Sequence, residues 1–229
     1  MRKAIFLTAV TAALLTAQTT TARRVRVFGD ATVAVRPDQG KISIGVETQA
    51  TTAQDATAQN ATKAQAVFDQ LKALIGATGD IKTTSFYVSP VAGPYIQGQP
   101  QTIIGYRAIN TIEVTTSDMG LVGKVVDTAV QAGANRVDSL QLGLKDDDPV
   151  RNQALRAAGQ RARLRAEAIA AGLGIRLGAV AYAEEGTSYR PLTRDTGVAT
   201  GAAATPATPV QSGTLDVVGT ITVEYEIAP

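Results

Sequence analysis

The sequence predicts an α+β domain, with three helices packed on a mixed or largely antiparallel sheet. Two observations carry this. Stretches with apolar residues at every second position alternate with stretches whose apolar residues recur every three or four, the periods of strand and helix. The strand-like stretches also come mostly in adjacent pairs, in the order β-β-α-β-β-α-β-α-β-β, a rhythm of hairpins rather than of parallel crossovers.

Residues 24–36 place Val25, Val27, Ala31, Val33 and Val35 in alternation around Phe28-Gly29, a strand with a kink or bulge at Gly29. Pro37-Asp38 makes a turn. Residues 41–48 then put Ile42, Ile44 and Val46 on one face, a second strand expected to pair with the first as a hairpin. Residues 53–75 form the first helix. Its stripe is Ala56, Asn60, Ala64, Val67, Leu71 and Ile75, and Gly76 closes it. Residues 81–89 and 103–115 are expected to form a long hairpin. Its connection, 90–101, holds Pro90, Gly93, Pro94, Gly98 and Pro100.

Asp118 caps a second helix running to about residue 132, with Leu121, Val122, Val125, Val126, Ala129 and Val130 on its buried face and Gly133 at its end. Val137, Leu140, Leu142 and Leu144 mark a fifth strand. Asp148-Pro149 opens the third helix, 148–171, with Asp148 as N-cap and proline at the first helical position. Its stripe reads Leu155, Ala158, Ala162, Ala166, Ile169 and Leu173; the alanines imply close packing on a sheet or another helix. Residues 178–184 and 215–227 complete the strands. Between them, 186–213 is rich in Ala, Thr, Gly and Pro, and is expected to be a flexible loop because such residues bury too little surface to offset the entropy of ordering. No long spacer divides residues 23–229, which are expected to form a single domain.

Composition excludes several chemistries. The 229 residues include no Cys, His or Trp. Without Cys there is no disulfide, thiolate nucleophile or Cys-ligated metal. Without His the chain lacks the commonest general base near neutral pH and the commonest transition-metal ligand. No phosphate-binding GxGxxG or GxxxxGK[ST] motif occurs. No catalytic, cofactor-binding or metal-ligating residue is assigned, and no cofactor is expected.

The N-terminus reads Met1-Arg2-Lys3, then AIFLTAVTAALLTA over 4–17. A positive start, a short apolar run and small residues after it have the pattern of an export signal peptide, with cleavage after Ala22 or, alternatively, after Ala17. The run is shorter than the roughly 20 apolar residues of a transmembrane helix, and no later segment is long and apolar enough. A periplasmic or secreted location is therefore expected. Beyond this leader the chain carries 20 basic and 20 acidic residues, which gives no support for a nucleic-acid partner.

Short pieces spread over the chain carry a family resemblance. They are Val27-Phe28-Gly29; Arg36-Pro37-Asp38; Ile81-Lys82-Thr83-Thr84 with Tyr87 and Pro90; Gly105-Tyr106-Arg107-Ala108; Ala132-Gly133-Ala134-Asn135; the alanine-rich helix from Ala154 to Gly172; and the closing strand from Val217 to Tyr225. In order and spacing they resemble the SIMPL-domain, YggE-like family of exported bacterial proteins, which includes a periplasmic immunogenic protein. The resemblance implies a place in the cell envelope, an association with oxidative-stress tolerance, and similarity to subunits that build ring-like or channel-like oligomers. It implies no catalytic residues. Self-association into a homo-oligomer is the expected partnership, with an envelope protein as a further partner. A monomeric module that binds a ligand or envelope partner is the alternative. An enzyme working without His or Cys ranks last.

Three groups of residues stand out as candidate sites. Asp146-Asp147-Asp148 offers hard oxygen ligands but lacks the spacing and glycine of an EF-hand loop, and reads as a solvated turn with a helix cap. Of five arginines on the third helix, Arg156 and Arg163 point one way and Arg151, Arg161 and Arg165 another. They form no single patch and suit a solvated face or subunit salt bridges. Arg36, Asp38, Lys82, Tyr87, Tyr106 and Arg107 lie in or beside strands. Of these, Tyr87, Tyr106 and Arg107 are the interface candidates, since Tyr and Arg are favoured at subunit interfaces.

Overall fold

In the computed structural model the described residues are 23–77, 79–98, 100–186, 192–194, 210 and 212–228. Residues 1–22, the expected leader, lie outside them, as does most of the 186–213 stretch.

The fold is α+β, with two antiparallel sheets. The strands are β1 (Arg24–Val35), β2 (Gln39–Ala50), β3 (Gly79–Ala92), β4 (Ile103–Thr116), β5 (Arg136–Gly143), β6 (Arg176–Glu185), β7 (Leu192–Arg194) and β8 (Thr214–Ala228). The helices are α1 (Ala53–Ile75), α2 (Val122–Gln131) and α3 (Asp148–Leu173). A central sheet has the order β3-β4-β2-β5. A terminal sheet has the order β1-β8-β6, with β7 also paired to β8.

β1 and β2 do not form the expected hairpin. β1 pairs with β8 along its whole length, from Arg24 opposite Glu226 to Val35 opposite Leu215, whereas β2 lies between β4 and β5. The Arg36–Asp38 link is held to the end of β5 instead of folding back on β1. The Asp38 amide donates to the Gly143 carbonyl at 3.0 Å, and Asp38 Oδ1 accepts the Lys145 amide at 2.7 Å. β3 and β4 do form the long expected hairpin. Within 186–213, Leu192–Arg194 adds a short strand against the start of β8.

α1 and α2 cover the central sheet. α1 begins at Thr52, whose Oγ1 accepts the Asp55 amide at 3.1 Å and donates to Asp55 Oδ2 at 2.7 Å, a side-chain cap of the first turn. Its buried residues are the six of the sequence stripe. They meet Ile42, Ile44, Val46, Ile112 and Val114 of the sheet, where each fully buried aliphatic side chain is worth about 1.5–3 kcal/mol. The one polar member, Asn60, donates from Nδ2 to Val46 O at 2.7 Å and Ala108 O at 3.1 Å, which ties the helix to β2 and β4 together. Before α2, Asp118 caps a 3₁₀ turn, Met119–Leu121, through its Oδ1 and the Gly120 amide. α2 then buries Val122, Val125 and Ala129, while Val130, expected inside, is 53% exposed.

α3 covers the terminal sheet at close range. Its buried line is Ala154, Ala158, Ala162, Ala166 and Ala170. Leu155, Ile169 and Leu173 of the expected stripe are not on it; Ile169 and Leu173 are exposed. The reason is proximity. A Cβ on Gly29 would meet Ala158 O at 2.2 Å, and one on Gly219 would meet the Ala154 backbone at 2.6 Å. Only alanines fit against strands this near, and a strict spacing of four keeps them in line. Gly29 therefore marks a helix crossing and not a bulge; the β1–β8 register runs through it unbroken. α3 also starts one residue earlier than expected, with Asp147 at the cap position. The Asp148 amide is bonded by Asp146 Oδ1 at 3.1 Å.

Candidate functional site

The outer face of the central sheet, opposite α1, carries a charged network. Strand alternation sends Ile42, Ile44 and Val46 to the helices and Glu47 to the other side. Glu47 Oε1 lies 3.0 Å from Arg107 Nε on β4, and its Oε2 lies 3.4 Å from Arg136 NH1 on β5. Arg136 also pairs with Asp138 at 2.9 Å. Asp138 most strongly, then a hydrogen bond accepted by the Tyr87 hydroxyl on β3, favours the charged guanidinium and raises its pKa. Gly45 stands opposite Arg136, where a Cβ would be only 2.9 Å from the arginine's own. Asn135 locks the corner: Glu47 N donates to its Oδ1 at 2.8 Å and its Nδ2 donates to Glu47 O at 2.9 Å. The network thus ties β4, β2 and β5 together. Sequence reading did not find Glu47, Asn135 or Arg136, because their grouping depends on strand order.

Of the interface candidates, the structure brings Tyr87 and Arg107 to this one face. Tyr106, next to Arg107 on β4, points to the other. Lys82, further along β3, pairs with Glu113 at 3.1 Å. Arg36 and Asp38 lie apart, at the β1–β2 link.

Past the end of β2, whose last residue Ala50 faces Tyr106, the β3–β4 hairpin runs on as a two-stranded arm. Residues 83–106 contain no charged side chain. Yet Phe86, Tyr87, Tyr95, Ile96, Ile103 and Ile104 are exposed, Tyr95 to 77%. The Gly93 amide donates to Thr102 O at 2.7 Å, closing the arm near its tip.

A second feature lies on the terminal sheet. An open groove of about 540 Å³ runs between the C-terminal half of α3 and β6. Ile175, Leu177, Val180 and Tyr225 line it, with the Arg163–Glu167 ion pair at its rim.

Arg151, Arg161, Arg163 and Arg165 of α3 bind their own chain. Arg165 NH1 donates to Phe28 O at 2.7 Å and pairs with Asp30 at 2.9 Å, and Arg161 NH1 donates to Asp30 O at 3.0 Å. These donors cover carbonyls on β1, an edge strand whose open backbone would otherwise invite pairing. Arg151 pairs with Glu185 of β6. The carboxylates of Asp146, Asp147 and Asp148 lie within 4.8 Å of one another at the surface, as a turn before a helix explains.

No helix among the described residues is long and apolar enough to cross a membrane. Two antiparallel sheets with three helices packed on them, a charged sheet face and an uncharged arm define the class as α+β. The chain belongs to the SIMPL family, a protein family of unknown function (DUF541), whose model matches residues 25–225. It is 30% identical over 152 residues to the uncharacterized protein YggE of Edwardsiella ictaluri, a match covering 66% of this chain and 63% of that protein. It is 27% identical over 173 residues to the 26 kDa periplasmic immunogenic protein of Brucella melitensis, covering 73% and 68%. YggE of Escherichia coli K12 is 29% identical over 153 residues, covering 66% and 61%. The chain thus spans just under two thirds of the YggE proteins it matches.

Proposed function

We propose that this chain is an exported, non-enzymatic protein of the bacterial cell envelope that acts by assembling with further copies of itself. The exposed, charge-free β3–β4 arm is the observation that carries this reading. Such a concentration of uncovered Tyr and Ile marks a surface made to be buried by a partner. The 1–22 segment and the periplasmic relative support export. The lack of His and Cys supports a role without chemistry, and excludes direct thiol scavenging as the basis of a link to oxidative stress.

Light scattering on the size-exclusion peak of the mature protein, at two concentrations, tests the reading. A discrete, concentration-independent oligomer is expected, weakened by Tyr106→Ala or Arg107→Ala. A monomer at both concentrations would overturn it. The α3–β6 groove favours a second reading, a monomeric binding module. Capture of one defined envelope partner by a monomeric bait would select it.

A further inference from the structure

We propose that the β3–β4 arm of one copy seats in the groove between α3 and β6 of the next, a head-to-tail contact that rests on the self-association reading. Arm and groove belong to different sheets, so each copy offers one of each. A contact between two unlike surfaces repeats from copy to copy and closes into a ring where the rotation allows.

The two surfaces match in chemistry. Ile175, Leu177, Val180 and Tyr225 form an apolar floor, and the arm presents Tyr95, Ile96, Ile103 and Ile104. Nothing charged enters with the arm, so no ion is buried without a partner. Of the groove's charged groups, Arg163 and Glu167 already satisfy each other at 2.8 Å, and Arg176, an exposed residue, also lines it. Gln97 and Gln101 flank the arm's tip and can hydrogen-bond to such groups. An apolar centre with a polar margin is the usual anatomy of a protein interface. Tyr95 is 77% exposed and Ile96, Ile103 and Ile104 are each more than half exposed, so seating the arm takes one aromatic and isoleucine side chains beside it out of water.

The cysteine-free sequence makes the test clean. Ile96→Cys places one thiol on the arm, and Val180→Cys one in the groove; both positions are more than half exposed, so the fold tolerates the change. Under mild oxidation, a mixture of the two variants should give a covalent dimer that neither gives alone. The double variant should give a ladder of covalent multimers. Tyr95→Ser built into that double variant should abolish the ladder, and Ile96→Ser in the wild-type background should reduce the oligomer to monomer.

Other results overturn the inference. A dimer from Ile96→Cys alone would mean that arms meet each other. A disulfide within one chain of the double variant would mean that the groove takes its own chain. Transfer of a fluorophore on Cys-substituted position 96 into phosphatidylethanolamine–phosphatidylglycerol vesicles, with no cross-link, would mean a lipid surface. An oligomer by light scattering without cross-linking would remove this contact and leave self-association standing. A monomer throughout would remove both.

Discussion

Gly29 of β1 lies directly beneath Ala162 of α3, with no room for a side chain between them: a Cβ on the glycine would fall 2.8 Å from the alanine's own and 2.2 Å from the Ala158 carbonyl oxygen. The obstacle is backbone, which cannot swing aside. Gly219 meets α3 one strand over in the same way. The whole alanine line of α3 depends on these two bare positions.

Gly29→Ala should therefore destabilise the fold by about 1–3 kcal/mol, the usual range for overpacking, and Ala162→Leu by at least as much. Urea unfolding of the variants, compared by midpoint, checks this. An unchanged midpoint for Gly29→Ala would mean that α3 can lift from the sheet without loss.

Asn60 is the only polar residue on the buried stripe of α1. Asn60→Ala removes the bonds to Val46 O and Ala108 O and should cost about 1–3 kcal/mol. Asn60→Asp should cost more, because it places a carboxylate beside two carbonyl oxygens in the core. Thermal unfolding as a function of pH separates the two, since Asn60→Asp should recover stability as the pH falls and the buried acid protonates, while Asn60→Ala should not.

The Glu47 network is solvent-screened. Glu47→Gln should cost only about 0.2–1 kcal/mol, and the cost should shrink at high salt. A double-mutant cycle with Arg136→Met measures the coupling directly. A coupling that is insensitive to salt would mean that the network is shielded from water, as an assembled interface would shield it.

Tyr182 donates a hydrogen bond to Glu184 at 2.8 Å, and that bond, followed by desolvation, raises its pKa above the ordinary value. A raised pKa favours the neutral phenol in the folded chain. The contribution is complete below the unfolded pKa of about 10 and fades as pH rises through the folded one. Glu184→Gln should move the tyrosinate absorbance midpoint of this residue back down, identified by comparison with Tyr182→Phe.

Much of the fold was legible in residues close together in sequence. The α1 stripe of Ala56, Asn60, Ala64, Val67, Leu71 and Ile75 predicts its buried face correctly because one helix repeats one environment. The β3–β4 hairpin is legible because its strands are neighbours in the chain. Strand partners far apart are not. Nothing local to β1 says that its partner is β8 rather than β2, since both offer the same alternation. The Ile169 and Leu173 reading failed for a related reason. Helical period favours large apolar residues for a buried stripe, but the distance between helix and sheet, set by Gly29 and Gly219, admits only alanine.

The candidate site divides along the same line. The sequence by itself determined the element types, the exclusion of thiol and imidazole chemistry, and the charge-free run from 83 to 106, because composition and short-range periodicity act within a few residues. Only the tertiary structure decided that Glu47, Arg107 and Arg136 meet across three strands, that Tyr106 parts from Tyr87 and Arg107, and that the distal part of the charge-free run, past the Ala50–Tyr106 pair, extends beyond β2 as an arm. Those facts depend on strand order and register, which are fixed by the packing of the whole chain and not by any one segment of it.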